Sequence, residues 1–327
     1  MKRIGFFVLL CVLITAGTSC DPLKRIRTDV LEPAEIAFPE DVFSVGYLID
    51  EPRIIVNTRA NREPGMDAQQ QFWTGLMDAA MTSPRFNPRS LKLIETTNDT
   101  VPSDTLEWAR VKHLTDSLDL DALAVMHLFV LSDSLERQLM YEFATTTFYF
   151  IYEVNAKVLW RIYHPAERDV FSEYTYEEEF IWESASEEEH QAIRNLVDLD
   201  RAYRSSAYWS GNDIGHLMFP YWEETESIYY GKGSRNFRKA SDHVEQNQWE
   251  KAIELWTNSF RSTNKELARR AAFNIAFACE MLGKIDLAIE WLQRAQDIQY
   301  NRRASEYLET LQERKEKLEK LDQQMPI

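Results

Sequence analysis

One thiol in this chain stands where covalent chemistry is expected. Residues 4–19 carry no charge and follow the basic residues Lys2 and Arg3, and Cys20 comes directly after the small residues 17–19. A cysteine thiolate is a good nucleophile, and small residues mark the cleavage region of a signal peptide. The uncharged stretch is too short to cross a bilayer as a helix. Residues 1–19 are therefore predicted to be a secretory signal peptide.

The end of this segment, Gly17-Thr18-Ser19-Cys20, resembles the lipobox of bacterial lipoproteins. In that family a diacylglycerol is attached to the thiol, and cleavage leaves the cysteine as the first residue. The resemblance implies that Cys20 carries palmitate-type acyl chains, and two or three such chains hold a protein stably on a membrane. Thr18 and Ser19 differ from the commonest Leu-Ala-Gly version. The alternative is an ordinary signal peptide with an unrelated cysteine.

The rest of the sequence carries no recognisable catalytic motif. It has no glycine-rich phosphate loop, no HExxH zinc motif, no CxxC pair and no GxSxG nucleophile elbow. The six histidines are scattered, and Cys279 lies among helical apolar residues, which favours a core position over a reactive thiol. We therefore predict a protein that is not an enzyme, with no catalytic residues, no cofactor and no metal.

Charge excludes one class of partner. The formal net charge is −16 at pH 7, and removal of Lys2 and Arg3 with the signal peptide makes it more negative. Such a field repels the phosphates of nucleic acids. No nucleic-acid partner is expected.

Hydrophobic periodicity predicts how the chain is organised. Residues 20–40 contain three prolines and no sustained period, which favours a tether. Residues 41–228 alternate strand and helix patterns and then show a long two-residue period, which predicts an α/β or α+β domain with a long β-hairpin and C-terminal helices. Acidic residues dominate 177–189, a pattern typical of a solvated face, with a cation site as the alternative.

An aromatic run lies near the end of this predicted domain. Tyr208, Trp209, Tyr221 and Trp222 could line a groove for a glycan or a peptide. The alternative is that these side chains pack between the sheet domain and the helical repeats, and this interpretation is favoured over a binding groove.

Residues 229–327 are predicted to form helical repeats with a capping helix. The segment 247–259 matches 283–295 at an offset of 36 residues, and this resembles the tetratricopeptide repeat, with its period of 34. Asn247 and Gly283 occupy equivalent turns, where a left-handed backbone suits Asn and Gly. The predicted packing positions of the two repeats are Ala252, Trp256, Ala288, Leu292 and Ala295.

Several stretches together resemble an uncharacterised family of Bacteroidales lipoproteins with an α/β domain and a tetratricopeptide-like tail. They include 31–48, 118–128, 158–170 and 219–240. The resemblance implies a lipid-anchored protein of the cell envelope, in the outer membrane and facing the periplasm. We expect it to bind a protein partner through the helical repeats. A glycan- or peptidoglycan-binding lipoprotein is the alternative, and the two classes differ in whether the protein sediments with cell wall.

Overall fold

The computed structural model describes residues 22–39, 41–57, 65–85, 91–95, 106–142 and 145–325. These residues form two compact units. The sheet unit contains residues 31–222 and the chain from 320 onward, and the helical unit contains residues 22–30 and 223–319. The main division thus falls at 222–223, near the predicted boundary at 228–229.

In chain order, the elements are β1 (Leu23–Glu32), β2 (Val45–Asn57), α1 (Gly65–Thr82), β3 (Leu91–Glu95), α2 (Trp108–Leu118), β4 (Ala122–Glu142), β5 (Thr145–His164), β6 (Asp169–Ser186), α3 (Glu189–Asn195), α4 (Leu199–Met218), β7 (Tyr221–Tyr230), α5 (Arg235–Val244), α6 (Trp249–Phe260), α7 (Lys265–Met281), α8 (Ile285–Ile298) and α9 (Arg302–Gln324). The predicted order of a sheet region followed by an all-helical region is confirmed.

The sheet unit is built on a mixed five-stranded sheet with the strand order β3-β2-β4-β5-β6. β2 pairs in parallel with both β3 and β4, and the intervening helices α1 and α2 provide the crossovers that parallel strands need. β4 pairs antiparallel with β5, and β5 pairs antiparallel with β6. β6 therefore forms one edge of the sheet.

Alternating side chains of the sheet point to two different cores. Val154, Val158 and Trp160 of β5 pack in one cluster with residues of α1 and α4. On the opposite face, Leu123 and Tyr163 pack in a smaller cluster with residues of α2. Farther along β5, side chains on this second face such as Asn155 and Lys157 are exposed, and we call this part of the sheet the open face.

Two glycines set the distance between α1 and α4. A Cβ atom on Gly75 would lie 1.9 Å from the backbone oxygen of Tyr208, and one on Gly211 would lie 1.9 Å from the backbone oxygen of Phe72. No side chain fits at such distances, because the two helix backbones are in direct contact. The pair of helices covers the sheet as one tightly packed layer.

The helical unit combines α5 to α8 and most of α9 with a two-stranded ribbon of β1 and β7. Residues 23–32 were expected within the tether, and the structure shows them instead as β1. Ile26, Thr28 and Val30 alternate with Arg25 and other polar residues, which is the period of a half-buried strand. The prolines on either side of this stretch obscure that signal in the sequence.

Candidate interaction surfaces

The turns that begin the second helix of each hairpin have the same backbone geometry. Asn247 precedes α6 with φ of 56°, and Gly283 precedes α8 with φ of 71°. Both values lie in the left-handed region that Gly and Asn adopt most readily. Each turn therefore reverses the chain so that α6 folds back on α5 and α8 folds back on α7.

The predicted packing positions of the two hairpins all lie inside the helical unit. Their side chains are fully buried: Ala252, Trp256, Ala288, Leu292 and Ala295. Small residues allow close approach of the helices, and Trp256 fills the space beside them. These residues build the hairpins and are not exposed to a ligand.

The helix α7 is buried on every side. All ten residues from 271 to 280 are buried, including Asn274 and Glu280. The strand β7 covers part of this helix, with the ring of Tyr229 stacked on that of Phe277 at 5.4 Å. A helix buried on all sides offers no face to a partner. The accessible surface of the helical unit is therefore provided by the other helices, α5, α6, α8 and α9, and by the ribbon of β1 and β7.

Two buried polar residues of α7, Asn274 and Glu280, have partners within the unit. The carboxamide of Asn274 accepts a hydrogen bond from the N–H of Tyr230 at 2.8 Å and donates to its carbonyl at 2.7 Å. Glu280 forms an ion pair with Arg314 and accepts a hydrogen bond from the hydroxyl of Tyr307. Burial also raises the pKa of the Cys279 thiol, which agrees with a core position.

A patch of three residues lies on the outside of the helical unit, and we call it the tryptophan patch. The rings of Phe260 and Trp291 meet edge to face at 5.0 Å, and the guanidinium carbon of Arg294 lies 4.6 Å from the Trp291 ring centre. All three side chains remain partly or fully accessible. Trp and Arg are the residue types that most often dominate binding energy at protein interfaces. Sequence alone gives no sign of this patch, because its members come from two different helices.

The four aromatic residues of the predicted glycan surface lie in different surroundings. Tyr208 and Trp209 meet edge to face at 5.3 Å, and the Tyr208 hydroxyl donates to Asp78 at 3.0 Å. Tyr221 instead stacks on His216 at 4.1 Å. Trp209 and Trp222 are 51% and 55% exposed, so both indole rings face solvent.

Two cavities lie on the sheet unit, on opposite faces of the sheet. The first has a volume of about 600 Å³ and lies between β6 and α4, lined by Tyr174, Thr175, Tyr176, Glu177, Glu178, Asp213 and Leu217. The second has a volume of about 560 Å³ and lies over the open face, lined by Val130, Ser132, residues 155–157 and residues 177–179. The acidic run predicted to be a solvated face thus borders both cavities.

Hydrogen bonding orders the floor of the first cavity. The hydroxyl of Tyr176 donates to the Asp213 carboxylate at 2.8 Å. Burial, together with the neighbouring Asp213, raises the pKa of the Tyr176 hydroxyl above its ordinary value of 10.0. The cavity therefore presents acceptor oxygens and aromatic surface.

Cys20 and the predicted signal peptide 1–19 lie outside the described residues. Within the part of the chain that is described, no helix is both long and apolar enough to cross a membrane. The described residues also contain no group of three His, Cys, Asp or Glu side chains placed to hold a metal ion.

Three solved structures share a limited structural similarity with the chain. A neuraminyllactose-binding hemagglutinin homolog from Helicobacter pylori has a TM-score of 0.31 and 11% identity, over 54% of this chain and 83% of that one. The PelC dodecamer from Paraburkholderia phytofirmans has a TM-score of 0.26 and 8% identity, over 59% and 98%. The hypothetical protein CT253 from Chlamydia trachomatis has a TM-score of 0.20 and 14% identity, over 52% and 96%. At these TM-scores, none of the three supports a functional argument.

Family models match both units, whereas no curated protein matches the chain. Residues 238–314 of the helical unit match a domain of unknown function, DUF6340. Residues 67–230 match a second domain of unknown function, DUF8603, and this match covers half of the chain. The chain therefore belongs to the DUF8603 family.

Proposed function

We propose that this protein is anchored to the cell envelope through acyl chains on Cys20 and binds a protein partner through its helical unit, without catalysing a reaction. The lipobox-like segment 17–20 supports the anchor. The Bacteroidales lipoprotein resemblance supports a position on the outer membrane, facing the periplasm.

We interpret the helical unit as a pair of tetratricopeptide-like hairpins with α9 as the capping helix. Support comes from the 36-residue offset and from the matching left-handed turns at Asn247 and Gly283. Two repeats are fewer than the three usually needed for independent stability. The ribbon of β1 and β7 and the capping helix supply the remaining contacts of α7.

The tryptophan patch is the observation that carries the proposed binding role. Residues 271–280 of α7 are buried, so a partner docks on the elements around this helix. There Trp291 is only half-buried and has Phe260 and Arg294 packed against it. An aromatic ring held by two neighbours loses little entropy when a partner covers it.

The experiment compares two double variants of the full-length protein. Trp291→Ala/Arg294→Ala removes the tryptophan patch, and Trp209→Ala/Trp222→Ala removes the two exposed indoles of the sheet unit. Each variant is isolated from detergent-solubilised envelopes, and the co-purifying proteins are quantified against wild type. The proposal expects partners to be lost only from the first variant. Equal partner sets in both would contradict it, provided that circular dichroism shows both to be folded.

The alternative function is binding of a glycan or of peptidoglycan. The exposure of Trp209 and Trp222 favours it, because flat indole rings in solvent suit stacking on sugar rings. Sedimentation with purified cell wall tests it with the same two variants. Wild-type protein that pellets, and that is released only by Trp209→Ala/Trp222→Ala, would establish the glycan class in place of the protein-binding class.

A further inference from the structure

The outer edge of β6 offers a long row of backbone hydrogen-bonding groups. β6 runs for 18 residues, and β5 pairs with it along nearly its whole length. On its other side, no described strand lies against it. Every second residue of such an edge directs its N–H and C=O groups outward, where an extended chain can pair with them.

Both cavities meet this edge at the same residues. Glu177 and Glu178 line both, and side chains alternate along a strand, so Glu178 points to one face of the sheet and Glu177 to the other. A strand added here would direct alternate side chains into the first cavity and into the second. Edge strands that bind peptides combine backbone pairing with pockets for alternate side chains in this way.

The charges of these cavities fit basic side chains. Glu177 already forms an ion pair with Lys157. Glu178 and Glu179, by contrast, form no salt bridge with a described residue, and Asp213 adds a carboxylate to the first cavity. The first cavity also presents Tyr174 and Leu217, against which the alkyl stem of a Lys or Arg can pack.

The same chain contains an example of this type of pairing. In the ribbon, basic β1 lies against acidic β7: Arg25 pairs with Glu226 at 2.8 Å, and Arg27 with Glu224 at 3.4 Å. The β1 cations are therefore already paired within the helical unit. A second copy of β6 is also a poor partner, because its glutamates would lie opposite those of the first copy and repel them.

We propose that the outer edge of β6, around residues 174–179, binds an extended basic segment of another protein by strand addition. Lysine or arginine side chains of that segment would enter the two cavities from the two faces of the added strand. This surface belongs to the sheet unit and is independent of the tryptophan patch. Either proposal can therefore fail without the other.

The test measures binding of a fluorescent peptide, acetyl-Thr-Val-Lys-Arg-Val-Thr-amide, to the full-length protein by anisotropy at low salt. Its adjacent Lys and Arg point to opposite faces when it is extended. The control peptide replaces both valines with proline, which keeps the charge but prevents strand pairing. The protein variant is Glu178→Gln/Glu179→Gln. Its matched control is Glu107→Gln/Asp116→Asn. This variant changes the net charge by the same amount, but at α2 and at the residue before it.

The proposal expects wild type and the α2 control to bind the parent peptide equally. The Glu178→Gln/Glu179→Gln variant should bind it about tenfold more weakly, as should wild type with the proline peptide. Equal binding of both peptides would overturn the proposal, since charge alone would then explain the affinity. An unaffected Glu178→Gln/Glu179→Gln variant would overturn it, as would absence of binding at about 1 mM peptide. So would a self-association that the peptide disrupts, because a second copy would then occupy the edge.

Discussion

The carboxamide of Asn274 completes the hydrogen bonding of the Tyr230 backbone, with one bond at 2.8 Å and a second at 2.7 Å. Asn274 lies in the middle of α7 and Tyr230 at the end of β7, and both are buried. A side-chain amide here takes the place that a neighbouring strand would have in a sheet. Gln324 does the same for the backbone of Ala34 in the sheet unit.

Substituting Asn274→Ala leaves a buried N–H and a buried carbonyl of Tyr230 without their partner. We expect the free energy of unfolding to fall by about 2–3 kcal/mol, because neither group can reach water. Urea denaturation followed by circular dichroism measures the change. Gln299→Ala, at an exposed position after α8, is the control and should have little effect. A loss below about 0.5 kcal/mol for Asn274→Ala would show that the two bonds contribute little.

In the core of the sheet unit, by contrast, one buried hydroxyl has no hydrogen-bond partner among the described residues. The Tyr47 hydroxyl is buried and bonds to no described group, whereas the Tyr203 hydroxyl donates to Asp133 at 2.8 Å. We expect Tyr47→Phe to leave stability unchanged or to raise it by up to about 1 kcal/mol, since an unsatisfied buried hydroxyl is costly.

Tyr203→Phe is the matched comparison, because it removes a hydroxyl that has a partner. It should lower the free energy of unfolding by about 1 kcal/mol or more. Guanidinium titration followed by intrinsic fluorescence measures both variants. Destabilisation of Tyr47→Phe by the same amount as Tyr203→Phe would mean that the Tyr47 hydroxyl has a partner in solution.

The crossing of α1 and α4 depends on glycine. Gly211→Ala should destabilise the sheet unit by about 3 kcal/mol, because the new methyl group meets the backbone of Phe72. Gly283→Ala is the contrasting change: apart from its own residue and its chain neighbours, no described atom lies within 4 Å of its Cβ position, and only the left-handed backbone opposes it, by about 1 kcal/mol. Thermal unfolding of the two variants shows which substitution lowers the melting temperature more. The reverse ranking would contradict the close helix contact.

Acidic pH should weaken the contribution of Glu266 to the stability of the fold. Burial alone would raise its pKa, but hydrogen bonds from Arg269 and Arg270 outweigh this and hold the pKa below its ordinary value of 4.5. A carboxyl with a lowered pKa in the folded state stabilises the fold above pH 4.5, and it loses that effect as the pH falls through the folded-state pKa.

We therefore expect Glu266→Gln to be less stable than wild type at pH 7, with a difference in melting temperature that closes as the pH falls below 4.5. Calorimetry across this range tests it. Glu254→Gln, at an exposed position on α6, is the control and should follow wild type throughout. A difference for Glu266→Gln that stays constant down to acidic pH would rule out the ion pairs as its cause.

Local patterns in the sequence predicted much of the fold. The hairpin of α7 and α8 follows from apolar spacing and from Gly283, and the long strands β5 and β6 follow from their two-residue period. The strand β1 escaped prediction because the flanking prolines obscure its two-residue period, and β7 because it pairs with residues far away in sequence. The acidic run gave no sign of its cavities, since these need α4 and the open face of β4 and β5 to form. Likewise, Phe260 and Trp291 become neighbours only when the helices pack.

The anchor at Cys20 is the part of the account on which the proposed cellular role depends. Mass spectrometry of the N-terminal peptide of the protein purified from its native membrane tests it most directly. We expect a peptide that begins at Cys20 and carries the added mass of diacylglycerol on sulfur, and we expect Cys20→Ser to leave the membrane fraction. A mature protein in the soluble fraction with an unmodified Cys20 thiol would contradict the account.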